Sequence, residues 1–534
     1  MKQIFDYAIQ NGTVVDGTGT EPFRATVYVR GDRIAAISKD PGLPSRESID
    51  AAGMIVAPGF IDLHTHSDAA PYCAPGFESA LSQGVTLQVV GNCGNSLVPN
   101  NDRIHATIGK RFSAYYVHPL KTGEEYRAFD LSTYRDELTV QGLAINMASL
   151  VGHNTVRKYV MKNPGEAMPT AEELDQMCGM TAKMLDQGAA GLSLGLTYVP
   201  GKFSLTEELI ALSAEAAKRD RMVAVHMRSE TAPYVFQALD EMARVAKETG
   251  AHIHISHLKV MYPVGNDDVR KLLERIDDLN GQGMRITCDQ YPYTASSTLM
   301  NLIPRWAKLN GNSVSNLRDD AMFEQMQADI DAEIRRRRGS AAIWISDTFG
   351  AMSELDGKTL QEAADLLGKS PAEAFREFFI ACNGRVNAIY HAMSESDVLE
   401  IAARQDIAVG SDGFGYDILS GNGMAGKPHP RSMGTFTRFL RLNREHGLMP
   451  LEKAVRKMTG LPAEILGMRE RGRLSEGCFA DITIFDPEKV KDNATYFQPD
   501  LPSEGIRNVF VNGCLAYCDG SYPEKRAGQF LLCK

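Results

Sequence analysis

From about residue 55 onward the chain alternates short apolar runs with stretches of helical period, the pattern of βα units around a parallel sheet. Eight runs qualify as strands: Ile55 to His66, Thr86 to Cys93, Ile145 to Gly152, Gly191 to Gly195, Met222 to His226, Ile253 to His257, Arg285 to Asp289 and Ile407 to Asp412. Several of the intervening helices begin with a capping box, in which a Ser or Thr and a Glu three residues on satisfy free amide hydrogens. Ser204 with Glu207, Thr170 with Glu173, and Ser370 with Glu373 behind Pro371 fit this pattern. His66 and Cys93 are 27 positions apart, His226 and His257 31, and His257 and Asp289 32. Each interval is one βα unit of roughly 30 residues, which predicts a (β/α)8 TIM barrel over residues 58–467. Asp289 and Asp412 are 123 positions apart, too far for one unit. An insertion therefore follows the seventh strand, with a helical, charged body at about 297–345, and on a strand-to-helix loop it is expected to act as a lid over the barrel mouth.

The two ends of the chain have a different rhythm. Residues 1–57 alternate short β-rich pieces with turns, among them Tyr7-Ala8-Ile9, Ala25-Thr26-Val27-Tyr28-Val29 and Arg33-Ile34-Ala35-Ala36-Ile37. Residues 468–534 resemble them, with Ala480-Asp481-Ile482-Thr483-Ile484-Phe485-Asp486 and Val509-Phe510-Val511-Asn512-Gly513. Both ends are expected to join in one small β-sandwich domain, so the fold class is α/β: barrel, sandwich and inserted lid.

Composition narrows the function. The 534 residues are 43% hydrophobic and 23% charged, with a net charge of −10 that argues against nucleic acid or an anionic membrane as partner. The basic run Arg335-Arg336-Arg337-Arg338 ends a predicted helix and reads as a solvated face. No apolar stretch approaches the roughly 18 to 20 residues of a membrane span, and the start of the chain lacks the apolar core of a signal peptide. Nine cysteines without disulfide-framework spacing fit a reducing cytoplasm. The expected partner is a small-molecule substrate, and the oligomeric state stays open.

Chemistry concentrates at the C-terminal ends of the predicted strands, where barrel active sites are built. His64 and His66 end the first strand two residues apart and so share a face. Cys93, His226, His257 and Asp412 occupy the same end of strands two, five, six and eight. Six side chains of types that bind zinc converge on one mouth. His252 and His254 lie deeper on strand six and read as packed or hydrogen-bonded core residues. His153, at the end of strand three, reads either as core or as a contact at the mouth, and His391 is given no role.

These residues carry a resemblance. Gly59-Phe60-Ile61-Asp62-Leu63-His64-Thr65-His66, the single histidines of strands five and six, Gly410-Ser411-Asp412-Gly413 and Gly472-Arg473-Leu474-Ser475-Glu476-Gly477 together resemble the amidohydrolase superfamily. Gly91-Asn92-Cys93-Gly94, Ser256-His257-Leu258-Lys259, Tyr291-Pro292-Tyr293 and His429-Pro430-Arg431-Ser432-Met433-Gly434 are similar to the D-aminoacylases, or N-acyl-D-amino-acid deacylases. Many binuclear amidohydrolases use a carboxylated lysine from strand four, but Gly191 to Gly195 has none. The resemblance implies Cys93 as the anionic ligand in its place; a buried structural thiol is the plainer alternative.

The expected activity is zinc-dependent hydrolysis of N-acyl-D-amino acids to a carboxylate and a free D-amino acid. Cys93, His226 and His257 would hold one tightly bound zinc, with His64 and His66 available for a second and Asp412 both ligand and proton carrier. Arg431, Lys259 and Tyr291 sit on loops that open at the same mouth and are expected to clamp the substrate carboxylate, joined by Ser297 on the strength of the resemblance. A hydrolase of cyclic amides or lactones is the alternative within the superfamily, and a binding protein with lost ligands is the alternative outside catalysis.

Overall fold

The computed structural model describes residues 4–39, 42–118, 127–165, 168–265, 267–308, 313–419 and 423–533. Its centre is a parallel sheet of eight strands: β1 (Phe60–Asp62), β2 (Val85–Val90), β3 (Asn146–Gly152), β4 (Gly191–Gly195), β5 (Met222–His226), β6 (His252–Ile255), β7 (Ile286–Gln290) and β8 (Ile407–Val409). Strands pair in chain order, and a parallel bridge between Thr65 and Gly413 draws the first to the last. At this seam the Asp412 N–H donates to the His64 carbonyl at 2.7 Å and the His66 N–H to that of Gly413 at 2.8 Å. Barrel closure and the meeting of three candidate ligands are thus one event. Every strand residue but Thr287 is buried, as helices on one side and the packed barrel interior on the other require, and this is why the strands read as continuous apolar runs.

The run Ile55 to His66 is two strands in two sheets. Ile55–Pro58 pairs antiparallel with Ile482–Phe485 in a sheet built from both chain ends, whereas β1 belongs to the barrel. The change falls at Gly59, whose N–H donates to the Asp481 carbonyl and where a Cβ would overlap the Thr86 side chain. Both halves are apolar, so alternation carries no sign of the switch.

One terminal sheet has four strands, in the order Arg33–Ser38, Thr26–Arg30, Phe5–Gln10, Ser45–Asp50. The other has six and unites Thr13–Val14 and Ile55–Pro58 with Ile482–Phe485, Ile506–Val511 and Cys514–Cys518. Ile9, Val27 and Ile34 from the first share a buried cluster with Val56, Ile482 and Phe510 from the second. The last residues leave these sheets: the Leu531 N–H bonds to Met147 and the Cys533 N–H to Gly188, so the tail packs against the barrel near β3 and β4.

The insertion is larger than the expected 297–345 and is not wholly helical. Strands Ala295–Leu299, Ile343–Asp347 and Asn387–His391 form an antiparallel sheet, and helices Asp320–Arg336, Leu360–Leu367 and Pro371–Ala381 pack on a core of its own that includes Leu302, Met326, Ile345, Phe375 and Phe378. Its strands pair across 40 to 96 residues of chain, beyond the reach of local pattern. Arg335, Arg336 and Arg338 are exposed as expected, but Arg337 packs over the Tyr390 ring, 4.4 Å from its centroid. Two of the three capping boxes form, at Thr170 and Ser370. The third does not: the Ser204 hydroxyl turns back to the Gly201 carbonyl, and Leu205 takes the N-cap position.

Candidate metal centre

Six side chains converge at the C-terminal end of the barrel in two sets that share one sulfur. In the first, Cys93 Sγ lies 3.6 Å from His226 Nδ1 and 3.5 Å from His257 Nε2, and those two nitrogens are 2.9 Å apart. In the second, Cys93 Sγ is 3.4 Å from His64 Nε2, and Asp412 Oδ1 stands 3.5 Å from His64 Nε2 and 2.9 Å from His66 Nε2. Donor atoms within each set are all within 4.8 Å of one another.

Backbone conformation shows what this convergence costs. Cys93, His257 and Asp412 all have positive φ, at 51°, 41° and 52°, a region non-glycine residues seldom adopt. The Cys93 turn is fixed by Asn92, whose amide donates to the carbonyls of Val89 at 3.0 Å, Leu63 at 3.3 Å and Thr65 at 3.4 Å. Gly195, at the end of β4, lies so close that any Cβ there would overlap the Cys93 carbonyl oxygen. The same approach leaves no room for a lysine at that position.

A ring of carboxylates aims the imidazoles. Asp289 Oδ2 lies 2.8 Å from His254 Nε2 and 3.5 Å from His64 Nδ1, and its other oxygen accepts the His257 N–H at 2.7 Å. Glu230 Oε1 and the Lys259 ammonium both lie 2.8 Å from His257 Nδ1, and His257 Nε2 faces Cys93 and His226. Asp62 Oδ1 accepts the N–H groups of His64 at 3.2 Å and Ser411 at 2.9 Å, tying β1 to β8. Such partners orient and strengthen metal-binding histidines.

The protonation states suit a cation. Burial lowers the pKa of His64 and His66 and takes His226 to about 3, so the rings are neutral with free lone pairs. Burial, and then the charges of Asp412 and Glu230, push the Cys93 thiol well up; its thiolate needs a positive ion beside it. Burial alone would raise the Asp412 carboxyl, but Arg431, His257 and His66 outweigh it and hold Asp412 well below the usual carboxylate range. Lone pairs converge on one sulfur within metal-binding distance, and the donor set fits zinc, which takes Cys, His and carboxylate ligands.

Beside the two sets opens a cavity of about 440 Å³, within the range of small-molecule sites. His66, Cys93, Asp412, Ser297 and Arg431 line it. Arg431 begins the Arg431–His446 helix, with one guanidinium nitrogen 2.6 Å from Asp412 Oδ2 and the other donating to the Ser297 carbonyl at 3.4 Å. Lys259 and Tyr291 do not line it. The Lys259 ammonium is taken by Glu230 Oε1 at 2.6 Å and by the His257 carbonyl at 2.8 Å. Tyr291 presents its ring to the cations of Lys259 and Arg431, 5.4 and 5.0 Å from its centroid, and its buried hydroxyl has no partner among the described residues.

His252 and His254 are hydrogen-bonded core residues, both to Thr287. His153 turns away from the mouth to Glu208, at 2.6 Å. His391, in the insertion, packs against Trp344 of the same insertion and Tyr496 of the C-terminal part of the chain. Sequence reasoning did not find Glu230 or give Asp289 a role. Glu230 follows His226 by four positions, and Asp289 had served only to measure strand spacing.

This fold and centre have counterparts. The chain matches the model of the amidohydrolase family over residues 47–517 and belongs to that family. It is 37% identical to an N-acyl-D-glutamate deacylase of Alcaligenes xylosoxydans xylosoxydans, over 99% of this chain and 97% of that one. The crystal structure of the N-acyl-D-glutamate deacylase of Bordetella bronchiseptica, complexed with zinc and a phosphonate mimic of the tetrahedral intermediate, superposes with a TM-score of 0.84 at 35% identity, covering 99% of this chain and 100% of that chain. A D-aminoacylase with a binuclear metal centre, activated by one metal and attenuated by the second, gives 0.82 at 34% identity, with 99% and 100% covered.

Proposed function

We propose that the protein is a zinc-dependent hydrolase of N-acyl-D-amino acids, releasing a carboxylate and a free D-amino acid. The observation that carries this reading is the pair of donor sets sharing Cys93, with Asp412 and Arg431 between them and the cavity. Relatives above 30% identity over nearly the whole chain, including one with zinc and a tetrahedral mimic, support it.

Cys93, His226 and His257 would hold the tightly bound zinc, and His64 and His66, with Asp412 beside them, a second. Zinc there supplies Lewis acidity, polarising a carbonyl and lowering the pKa of water toward about 7. Asp412, ionised at neutral pH, accepts the proton of the attacking water and delivers it to the leaving nitrogen, so one carboxylate serves as base and then acid. Arg431 keeps Asp412 ionised and offers its remaining donors to the substrate α-carboxylate, with Ser297 beside it at the wall. Tyr291 supports the Arg431 guanidinium from its ring face. Lys259 acts through Glu230, holding the carboxylate that aims His257, instead of touching substrate.

The terminal sheets are read as a two-layer sandwich braced against the barrel. The insertion is read as a cover of the mouth, because Ser297, Thr298, Leu299, Phe349 and Asn387 all come from it and line the cavity. Among the described residues no helix is long and apolar enough to cross a membrane, and all nine cysteines are free, which fits a reducing compartment such as the cytoplasm.

Assay of the purified protein on paired N-acetyl-D- and N-acetyl-L-leucine, with zinc measured in the same preparation, tests the reading. Hydrolysis of the D member alone by zinc-containing protein supports it. Turnover of a cyclic amide or lactone with neither acyl amino acid touched would overturn it.

A further inference from the structure

Resting on the two-metal reading of the centre, we propose that His252, Thr287 and His254 are positioning residues. They form a one-way column of hydrogen bonds through the barrel interior that holds Asp289 as a pure acceptor behind His64, and so sets the affinity of the second metal site.

The column stands in an interior that is otherwise apolar. Alternation along β6 and β7 turns Ile253, Ile255, Ile286 and Cys288 outward to the core shared with the helices, and His252, His254, Thr287 and Asp289 inward. Register places His252 beside Met222, His254 between Ala224 and Thr287, and Asp289 beside Ala408. Met222, Ala224 and Ala408 belong to an apolar cluster with Leu87 and Leu150 of β2 and β3. A polar side chain in such a setting must be hydrogen-bonded, whereas an apolar one would fill the same space without that requirement.

The bonds of the column point one way. Burial would raise the Asp289 carboxyl, but the charge of His64 and the hydrogen bond from His254 outweigh it and hold Asp289 well below the usual carboxylate range. A carboxylate donates nothing, so His254 Nε2, 2.8 Å from Asp289 Oδ2, carries the proton. In its neutral form, the common one above pH 7, an imidazole has a single N–H. His254 Nδ1 is then an acceptor, and the Thr287 hydroxyl at 2.9 Å is its donor. With its one proton so placed, Thr287 Oγ1 accepts from His252 Nε2 at 2.7 Å. Every proton along the column points toward Asp289.

The far side of Asp289 faces the metal centre. Its Oδ2 is 3.5 Å from His64 Nδ1, which has no closer hydrogen-bond partner among the described residues, and its Oδ1 accepts the His257 N–H at 2.7 Å. A carboxylate behind the ring draws the His64 proton to Nδ1. It leaves Nε2, 3.4 Å from Cys93 Sγ and 3.5 Å from Asp412 Oδ1, free to bind. Reversing the column would put the His254 proton on Nδ1 and require another on Asp289, and His64 would lose the charge that orients it. The two donor sets differ in this respect. Behind its ring His257 has Glu230 and Lys259, whereas His64 has Asp289 alone among the described residues. Loss of the column should therefore loosen the second site and spare the first.

Zinc is titrated into the metal-free protein in competition with a chelator, which gives an affinity for each equivalent. Thr287→Val keeps the shape and removes the hydroxyl, so the second equivalent is expected to loosen by about 10-fold while the first changes by less than about 3-fold. Thr287→Ser restores the hydroxyl and should bind as the wild type does. His254→Leu takes the near donor from Asp289 and should loosen the second equivalent further; it carries the test if Thr287→Val does not fold. Cys288→Ala, on the same strand but facing the helices, measures general loosening, and melting temperatures are taken for all variants. Equal changes in both equivalents, or the same change in Cys288→Ala, would make the column a packing feature and overturn the proposal. Wild-type affinity for the second zinc in Thr287→Val and His254→Leu would also overturn it. A wild-type protein that takes up one zinc only would do the same, and leave hydrolysis by that zinc standing. Turnover of N-acetyl-D-leucine by the same preparations is a separate readout: its absence would remove the deacylase reading and leave the column to be judged on the metal affinities.

Discussion

Two histidines just past barrel strands, His153 after β3 and His257 after β6, sit in closely similar settings. His153 Nε2 is 2.6 Å from Glu208 Oε1, and the other Glu208 oxygen is taken by Arg157. His257 Nδ1 is 2.8 Å from Glu230 Oε1, which also takes Lys259. Each joins a buried imidazole, a carboxylate and a cation, and at His257 the Lys259 ammonium also lies 2.8 Å from the ring nitrogen itself. They differ on the far side of the ring. His153 Nδ1 faces no donor or acceptor among the described residues, whereas His257 Nε2 faces Cys93 Sγ and His226 Nδ1. A histidine backed by a carboxylate is therefore a fold element until a second group meets its free nitrogen. At β6 the left-handed turns of Cys93 and His257 make that meeting; at β3 the chain passes straight into the helix His153–Val160 and nothing meets it.

The comparison breaks most visibly at the sulfur. Cys93→Ala should lose tightly bound zinc and activity together, while Cys178→Ala changes neither, as elemental analysis and a D-substrate assay would read. Next is Asp412→Asn, which keeps the shape but cannot take a proton, so kcat should fall about 10² to 10⁴-fold with the fold intact. The two carboxylates then separate the two histidines. Glu230→Gln should weaken zinc binding by about 10 to 100-fold, measured by competition with a chelator. Glu208→Gln should leave zinc affinity unchanged and lower stability by about 3 kcal/mol, since it strands buried Arg157.

The smallest effect belongs to another buried cation, Lys457, which has no carboxylate within ion-pair distance among the described residues. Lys457 donates to the Ala402 carbonyl, and burial pushes its pKa down to about 7. Between that value and the roughly 10.4 of an unfolded lysine the unfolded chain binds more protons, so stability rises as pH is raised through this window. Lys457→Met should flatten that rise in melting temperature.

Much of this was legible in the sequence because it is periodic. Strand spacing near 30 residues and the two-residue step from His64 to His66 are local signals, and they placed the six converging side chains on the right strand ends. Gly59 was not legible, because a strand that changes sheets keeps its apolar pattern. The insertion was seen as excess length, but its sheet pairs residues far apart in sequence. Glu230 and Asp289 act through the backs of histidine rings, and only the fold says which carboxylate reaches which ring. Lys259 reads as a clamp for substrate until Glu230 is seen beside it, and His153 stays open between core and mouth until its ring is seen beside Glu208.

Zinc-edge X-ray absorption on the purified enzyme reads directly whether Cys93 makes this ring of histidines a metal centre. The expected spectrum has a zinc–sulfur distance near about 2.3 Å that disappears in Cys93→Ser. A zinc-replete wild-type enzyme with only nitrogen and oxygen neighbours would contradict it.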